Sequence, residues 1–334
     1  MTPADANPRS PPAAAARPRT AVLIPCFNEA ATIAKVIGDF RAVLPEAVIH
    51  VYDNNSTDGT AEVARRSGAV VGCEPRQGKG HVVRRMFRDV EADIYVLVDG
   101  DATYDAASLP RLVDALLAGA DMVVGARLGT EAAAYRRGHQ FGNRTLTRVV
   151  GGIFRRKMRD VLSGYRVMSR RFVKSFPVLS TGFEIETELT VHALGLDLSI
   201  VEIDTPYYAR PAGSVSKLST WRDGLRILAT VLRLYRSERP LSFFAVLGAL
   251  LAAVSVALAI PLLVTYAETG LVPRLPTAVL ATGLMILAFL ALAVGFVLDI
   301  VTRGRREVKL LAFLAQPPLD HAGAPAPPSP RAPP

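Results

Sequence analysis

The chain has 334 residues, of which 50% are hydrophobic and 21% charged, with 39 basic against 30 acidic side chains for a net +9. That charge content excludes a chain mostly embedded in lipid, and the apolar content excludes global disorder. The positive excess suits an anionic membrane surface or phosphorylated ligands, and no nucleic-acid partner is expected.

In chain order, residues 1–19 are rich in Pro, Ala and Arg, lack an apolar period and read as a disordered tail without a secretion signal. From Thr20 to about Asp204 the pattern alternates. Strand-length apolar runs at Ala21–Ile24, Val48–Tyr52, Ile94–Val98 and Met122–Val124 are separated by helical periods at Ala30–Leu44, Gly59–Arg66, Lys79–Val90 and Ser108–Leu117. This rhythm predicts an α/β domain with a mostly parallel sheet and helices on both faces. Ligands of such sheets bind beyond the carboxyl ends of the strands. Cys26 and Cys73 belong to no Cys-x-x-Cys pair, so a reduced, cytoplasmic setting is expected.

Residues 218–236 place Leu218, Trp221, Leu225, Leu228, Leu232 and Tyr235 at helical spacing among arginines, the pattern of an amphipathic helix in a membrane interface. Leu241–Tyr266 and Ala278–Val301 are each long enough to span a hydrocarbon core of about 30 Å, with Pro261 inside the first. Arg233, Arg236 and Arg239 precede the first span and Arg303, Arg305, Arg306 and Lys309 follow the second, whereas the connecting loop holds only Glu268 and Arg274. By the positive-inside rule, the catalytic candidate and both termini face the cytoplasm of an inner or plasma membrane. The expected divisions are a tail over 1–19, a catalytic domain over 20–217, an amphipathic helix over 218–239, two spans within 240–302 and a basic, then Pro/Ala-rich, tail over 303–334.

Chemistry is expected where polar residues follow strands. Pro25-Cys26-Phe27-Asn28-Glu29 follows the first run and Asp53-Asn54-Asn55-Ser56-Thr57-Asp58-Gly59 the second, converging on one sheet edge in a way that suits a nucleotide. No Gly-x-Gly-x-x-Gly follows the first strand. The Gly72–Lys79 stretch misses P-loop spacing by one residue and has Gly80 where Ser or Thr would hold magnesium. Lys79 reads equally well as a phosphate contact or a solvated lysine. Asp99-Gly100-Asp101 directly follows the run Ile94–Val98, and two such carboxylates suit Mg²⁺ or Mn²⁺ held against a diphosphate. Arg127, the segment Asp160–Arg166, Gly182–Glu186, Arg210 and Lys217 complete the polar landmarks, and the cations among them suit phosphate groups. The run Arg155, Arg156, Lys157 and Arg159 reads as a solvated or lipid-facing patch. His139 and His192 have no second ligand at metal spacing and read as structural. Asn143-Arg144-Thr145 matches a glycosylation acceptor, an accidental match in a cytoplasmic domain.

This ordered set resembles the family 2 glycosyltransferases, specifically the polyprenyl-phosphate glycosyltransferases typified by dolichol-phosphate mannose synthase, over roughly Thr20–Lys217. The resemblance implies a nucleotide-sugar-binding, Rossmann-like domain of the GT-A type and an inverting transfer from a nucleotide sugar to a polyprenyl phosphate. It implies that Pro25, Asn28, Glu29 and Asp53 hold the nucleoside and that Asp99 and Asp101 flank the metal; Lys79 stays among the donor-binding candidates on its own loop position. Asp101, Asp160 and Arg166 are then the catalytic candidates, Asp160 as base or orienting residue, and Arg127, Arg166, Arg210 and Lys217 contact donor or acceptor phosphates. Asn54 stands where the family often has a second Asp, and Thr103 where some relatives have Gln. The processive synthases' Gln-x-x-Arg-Trp motif is absent. Transfer to a non-lipid acceptor and a non-catalytic nucleotide-sugar-binding membrane component are the alternatives. Sugar, base and oligomeric state, a homo-oligomer included, stay open.

Overall fold

A computed structural model describes residues 18–128, 137–182, 184–209 and 232–319. Seven strands form one sheet in the order β3-β2-β1-β4-β6-β5-β7. They are β1 (Thr20–Cys26), β2 (Val48–Asp53), β3 (Val70–Cys73), β4 (Ile94–Leu97), β5 (Met122–Leu128), β6 (Arg166–Ser169) and β7 (Ile200–Pro206). All neighbours pair in parallel except β6, which runs antiparallel between β4 and β5. The expectation of a mostly parallel sheet with helices on both faces holds. β1 displays the cause: every residue is buried, Ala21 and Leu23 joining one core cluster and Val22, Ile24 and Cys26 the other. A strand buried on both faces reads as a continuous apolar run.

On one face lie α1 (Ile33–Val43), α2 (Thr60–Arg66) and α4 (Leu109–Leu117). α1 buries Ile33, Val36, Ile37 and Phe40, an apolar stripe at helical spacing. The other face carries α3 (Lys79–Asp89), α6 (Arg170–Ser175) and α7 (Ile185–Gly195). α5 (Arg137–Phe154) and α7 share a satellite cluster of Leu146, Val150, Val161 and Leu194.

β6 positions the site. Its first residue, Arg166, lies opposite Leu97 at the carboxyl end of β4, and its last, Ser169, lies opposite Ile94. The loop before β6 therefore reaches the edge where β1, β2 and β4 end, whereas α6, which follows it, starts at the opposite, amino edge.

Two long helices follow, α8 (Pro240–Thr269) and α9 (Leu275–Leu314), both long and apolar enough to cross a membrane. They pack through small residues. A side chain on Gly248 would meet the carbonyl oxygen of Ala288 at 2.9 Å, and one on Gly295 would meet Phe244 Cβ at 3.0 Å. Ser255 Oγ donates to the Ala281 carbonyl at 2.7 Å. The outward residues are apolar and open, among them Leu250, Leu263 and Phe289 at 61%, 65% and 68% exposed.

The predicted basic tail beginning at 303 is helical to Leu314, because α9 continues without a break. Phe313, 3% exposed, enters the core beside α6 with the Arg171 guanidinium 4.4 Å from its ring centre. Burial of this phenyl ring outweighs the pull of the intervening charges toward water. The predicted amphipathic segment 218–236 falls largely outside the described residues, of which 232–238 are helical.

Candidate active site

The loops after β1 and β2 are tied to each other. Asn28 Oδ1 accepts from the Thr57 amide at 2.8 Å, and the Asn28 amide donates to Ser56 Oγ at 2.8 Å. The Glu29 amide donates to Thr60 Oγ1 at 2.8 Å, and Asp53 Oδ2 accepts from the Ser56 amide at 3.1 Å. Asn28 and Asn55 adopt left-handed backbone angles, φ 53° and 64°, which asparagine tolerates better than most residues. Pro25 pairs in register with Tyr52 at the same edge. Asp53 is 8% exposed and its Oδ1 has no hydrogen-bond partner. A buried acceptor left open at a strand end is a place for a ligand donor.

Asn54 is spent differently. Its Nδ2 donates to the carbonyls of Glu74 and Arg76, both at 2.8 Å, and its Oδ1 accepts from the Gly78 amide at 2.7 Å. An aspartate there offers no donor to the two carbonyls, which accounts for asparagine as a clamp on the loop entering α3.

That loop delivers Lys79, whose ammonium lies 2.5 Å from both Asp99 Oδ1 and Glu186 Oε1. Burial opposes the charge, but Asp99 and then Glu186 outweigh it, and the pKa rises above the ordinary lysine value. Of the two sequence readings, a solvated lysine is excluded: its side chain is 8% exposed. Asp101, 5% exposed, accepts from Thr103 Oγ1 at 2.6 Å and from the Thr103 amide at 3.2 Å. Thr103 thus braces a carboxylate at the position where some relatives have Gln.

The glycines here permit close approach. A Cβ on Gly164 would meet Asp99 Oδ2 at 2.6 Å, and one on Gly100 would meet Cys26 Sγ at 2.7 Å. The Gly164 amide donates to Tyr104 Oη at 2.8 Å. Burial, then Glu29, pushes the Cys26 thiol up, so it stays protonated.

Two arginines part company. Arg127 forms a fork with Asp160, Nε to Oδ2 at 2.6 Å and Nη2 to Oδ1 at 2.7 Å, with its guanidinium 5.5 Å from the centre of the Tyr207 ring. The expectation for Arg166 needs correction. It is 0% exposed and donates to the carbonyls of Ser163, Val161 and Glu186 at 3.0, 2.8 and 2.9 Å. Burial pulls its pKa down to about 10. A guanidinium enclosed by backbone oxygens has no face for a phosphate, so Arg166 fastens the loop before β6 to the start of α7. Arg210 and Lys217 lie outside the described residues.

The basic run before Asp160 is partly paired, Arg156 with Asp197 at 3.0 Å and Arg159 with Asp204 at 2.8 Å. Glu186 is the participant that motif reading passes over. It lies in α7, at the end of a polar stretch to which spacing assigns no role, and only the fold brings it to Lys79.

Residues 21–176 match the model of the family described as Glycosyl transferase family 2. Glycosyltransferase AglJ of Haloferax volcanii is 37% identical over 229 residues, covering 68% of this chain and 75% of the relative. The chain belongs to glycosyltransferase family 2. It is a glycosyltransferase with the GT-A fold. A dolichyl-phosphate hexose transferase of Haloferax volcanii is 27% identical, covering 66% of this family 2 chain and 95% of that protein. Among solved structures, glucosyl-3-phosphoglycerate synthase from Mycobacterium tuberculosis, in complex with Mn²⁺, UDP-glucose and glycerol 3-phosphate, superposes with a TM-score of 0.53 at 25% identity. That match covers 66% of this chain and 80% of the synthase.

Proposed function

We propose that this glycosyltransferase moves a hexose or N-acetylhexosamine from a UDP- or GDP-sugar to the phosphate of a polyprenyl phosphate, with inversion, at the cytoplasmic face of a membrane. The observation that carries the reading is the convergence of Asp53, Asp99 and Asp101 with Lys79 at the carboxyl edge of a sheet whose chain continues into two apolar helices. The Haloferax dolichyl-phosphate hexose transferase supports a lipid acceptor. The mycobacterial synthase supports a UDP-sugar and a divalent ion.

Asp99 and Asp101 fit such an ion. Both offer hard oxygen donors from one turn, and the Asp99 carboxylate already receives a cation in the Lys79 ammonium. When bound, Mg²⁺ or Mn²⁺ supplies Lewis-acid stabilisation to the departing nucleoside diphosphate. The remaining work falls to the chain. Pro25, Asn28, Glu29 and Asp53 shape the nucleoside end. Lys79 stays charged beside the phosphates. Asp160 holds Arg127 by its fork, an orienting role in which both carboxylate oxygens are engaged. Arg166 is a positioning residue for the loop that packs on Asp99, and Arg210 and Lys217 are assigned to acceptor phosphate. A phosphate monoester has its second pKa near 6, so the nucleophile is largely dianionic at neutral pH and needs screening and alignment more than a base.

Radiolabelled UDP- and GDP-sugars offered to the purified chain with undecaprenyl or dolichyl phosphate, with and without Mn²⁺, test the proposal. The expected result is label extracted into organic solvent only when lipid phosphate is present, and Asp101→Ala lowers it by about two orders of magnitude or more. Equal transfer to glycerol 3-phosphate or another soluble acceptor without lipid would overturn the lipid assignment. Wild-type turnover in Asp101→Ala would overturn the site.

A further inference from the structure

α7 has two ends with different surroundings. Its first turn carries Glu186 against Lys79. His192 in its last turn, about 9 Å further along at 1.5 Å per residue, borders a narrow cleft of about 20 Å³ that opens to solvent between α7, the residues just before α8 and the part of α9 beyond its apolar stretch. His192, Glu238, Thr302, Arg305, Arg306 and Lys309 line it.

Three observations mark this cleft as a binding site. His192 is 3% exposed, yet neither ring nitrogen has a hydrogen-bond partner. Its ring is flanked by Phe172 and Phe176 at 5.5 and 5.1 Å, so its polar atoms gain nothing from those neighbours. Arg306 bonds to Glu238, with Nη2 at 2.9 Å from the carbonyl oxygen and 3.2 Å from Oε2, while its buried Nε has no partner. Glu238, the one carboxylate among the described residues that line the cleft, is thereby matched. Among the described residues Arg305 donates only to the Ser237 carbonyl and Thr302 Oγ1, at 3.2 and 3.3 Å, and no carboxylate pairs with Arg305 or Lys309. A polar cleft whose mouth carries two cations that no described carboxylate pairs, beside buried nitrogens without partners, suits an anion.

Its level fixes the anion's source. Thr302 directly follows the apolar stretch of α9, and the Ser237 carbonyl that receives Thr302 Oγ1 at 3.3 Å lies three residues before α8 begins. If the helices span a bilayer, as proposed above, the cleft opens at headgroup depth. We propose that it binds the phosphodiester headgroup of an anionic glycerophospholipid, at a site separate from the sugar-transfer centre. The phosphate oxygens meet Arg305 and Lys309 at the mouth of the cleft, in front of the buried Arg306 Nε and the neutral His192 imidazole. Through α7, the occupied cleft fixes the helix that holds Glu186 against Lys79.

The test uses the full chain, stripped of lipid in a zwitterionic detergent and titrated with short-chain phosphatidylglycerol, phosphatidylcholine of equal chain length, or inorganic phosphate, with binding read by thermophoresis. Saturable binding of phosphatidylglycerol alone is expected. The double variant Arg305→Gln/Lys309→Gln weakens it by about 30-fold, from two lost cations, whereas Arg305→Lys/Lys309→Arg retains it. Should the first variant unfold, Lys309→Gln alone gives about a fivefold loss on the same scale. Equal binding of the two lipids, equal binding of inorganic phosphate, or undiminished binding in the charge-removing variants would overturn the proposal. No sugar donor enters this assay, so sugar transfer stands or falls separately. Retention of the chain in carbonate-washed membranes tests the bilayer reading by itself.

Discussion

Asn54 illustrates how one atom type decides a local structure. Its amide nitrogen feeds two carbonyls of the loop that presents Lys79, and its oxygen takes the Gly78 amide. Asn54→Asp restores the residue often found in the family but turns both donations into contacts between oxygens. A loss of about 2–3 kcal/mol is expected from two broken buried hydrogen bonds, seen as a lower thermal midpoint together with a raised KM for the sugar donor. An unchanged midpoint would mean that the loop is held by other contacts. The sequence displays Asp99 and Asp101 plainly, because they directly follow an apolar run, at the strand end where a parallel sheet gathers its ligands. It does not separate Arg127 from Arg166. Both are arginines near phosphate-like landmarks, and only the packed structure encloses Arg166 among the Ser163, Val161 and Glu186 carbonyls. Burial of a charged group depends on distant partners, which local spacing does not encode.

Among the elements, β1, β2, β4 and β5 were legible as mostly apolar runs between amphipathic periods, whereas β3 and β7, with exposed residues along them, were not. Nor was β6, since it has only four residues, the first of them the end of the Asp160–Arg166 segment, and its antiparallel course depends on β4 and β5 beside it. α7 was obscured for the opposite reason: it is buried nearly all round, so no polar face marks a period. That burial has a titration consequence. His192 is held neutral by its enclosure, then by Lys309, with its pKa pulled down from 6.5 to about 3. Between those values the unfolded chain binds a proton that the folded chain refuses, so stability rises with pH across this window and is lost as pH falls from about 6.5. The slope from this residue approaches about 1.4 kcal/mol per pH unit. His192→Phe should flatten the dependence of the melting midpoint on pH between 4 and 6.5, relative to wild type. An identical slope in the variant would mean that the imidazole takes up its proton without unfolding.

At the scale of the whole molecule, the proposed orientation can be read with residues already present. Cys73 is exposed and Cys26 is buried. A membrane-impermeant maleimide should label Cys73 in inside-out vesicles and spare it in intact cells, and labelling of intact cells would invert the topology. The junction between membrane helices and catalytic domain adds a geometric constraint. Ala281, Ala288, Gly295 and Thr302 are buried along α9 at intervals of seven residues, and Phe313 docks on the catalytic domain from the same uninterrupted helix. The rod is therefore phased at both ends. One alanine inserted between Thr302 and Lys309 turns Phe313 by about 100° away from α6, and lower thermal stability is the expected outcome. Seven inserted residues bring the ring back to nearly the same azimuth but raise its anchoring point by about 10 Å. Such a chain should fold normally and yet reach a membrane-confined acceptor poorly, making the length of this spacer a ruler for the standoff between enzyme and bilayer.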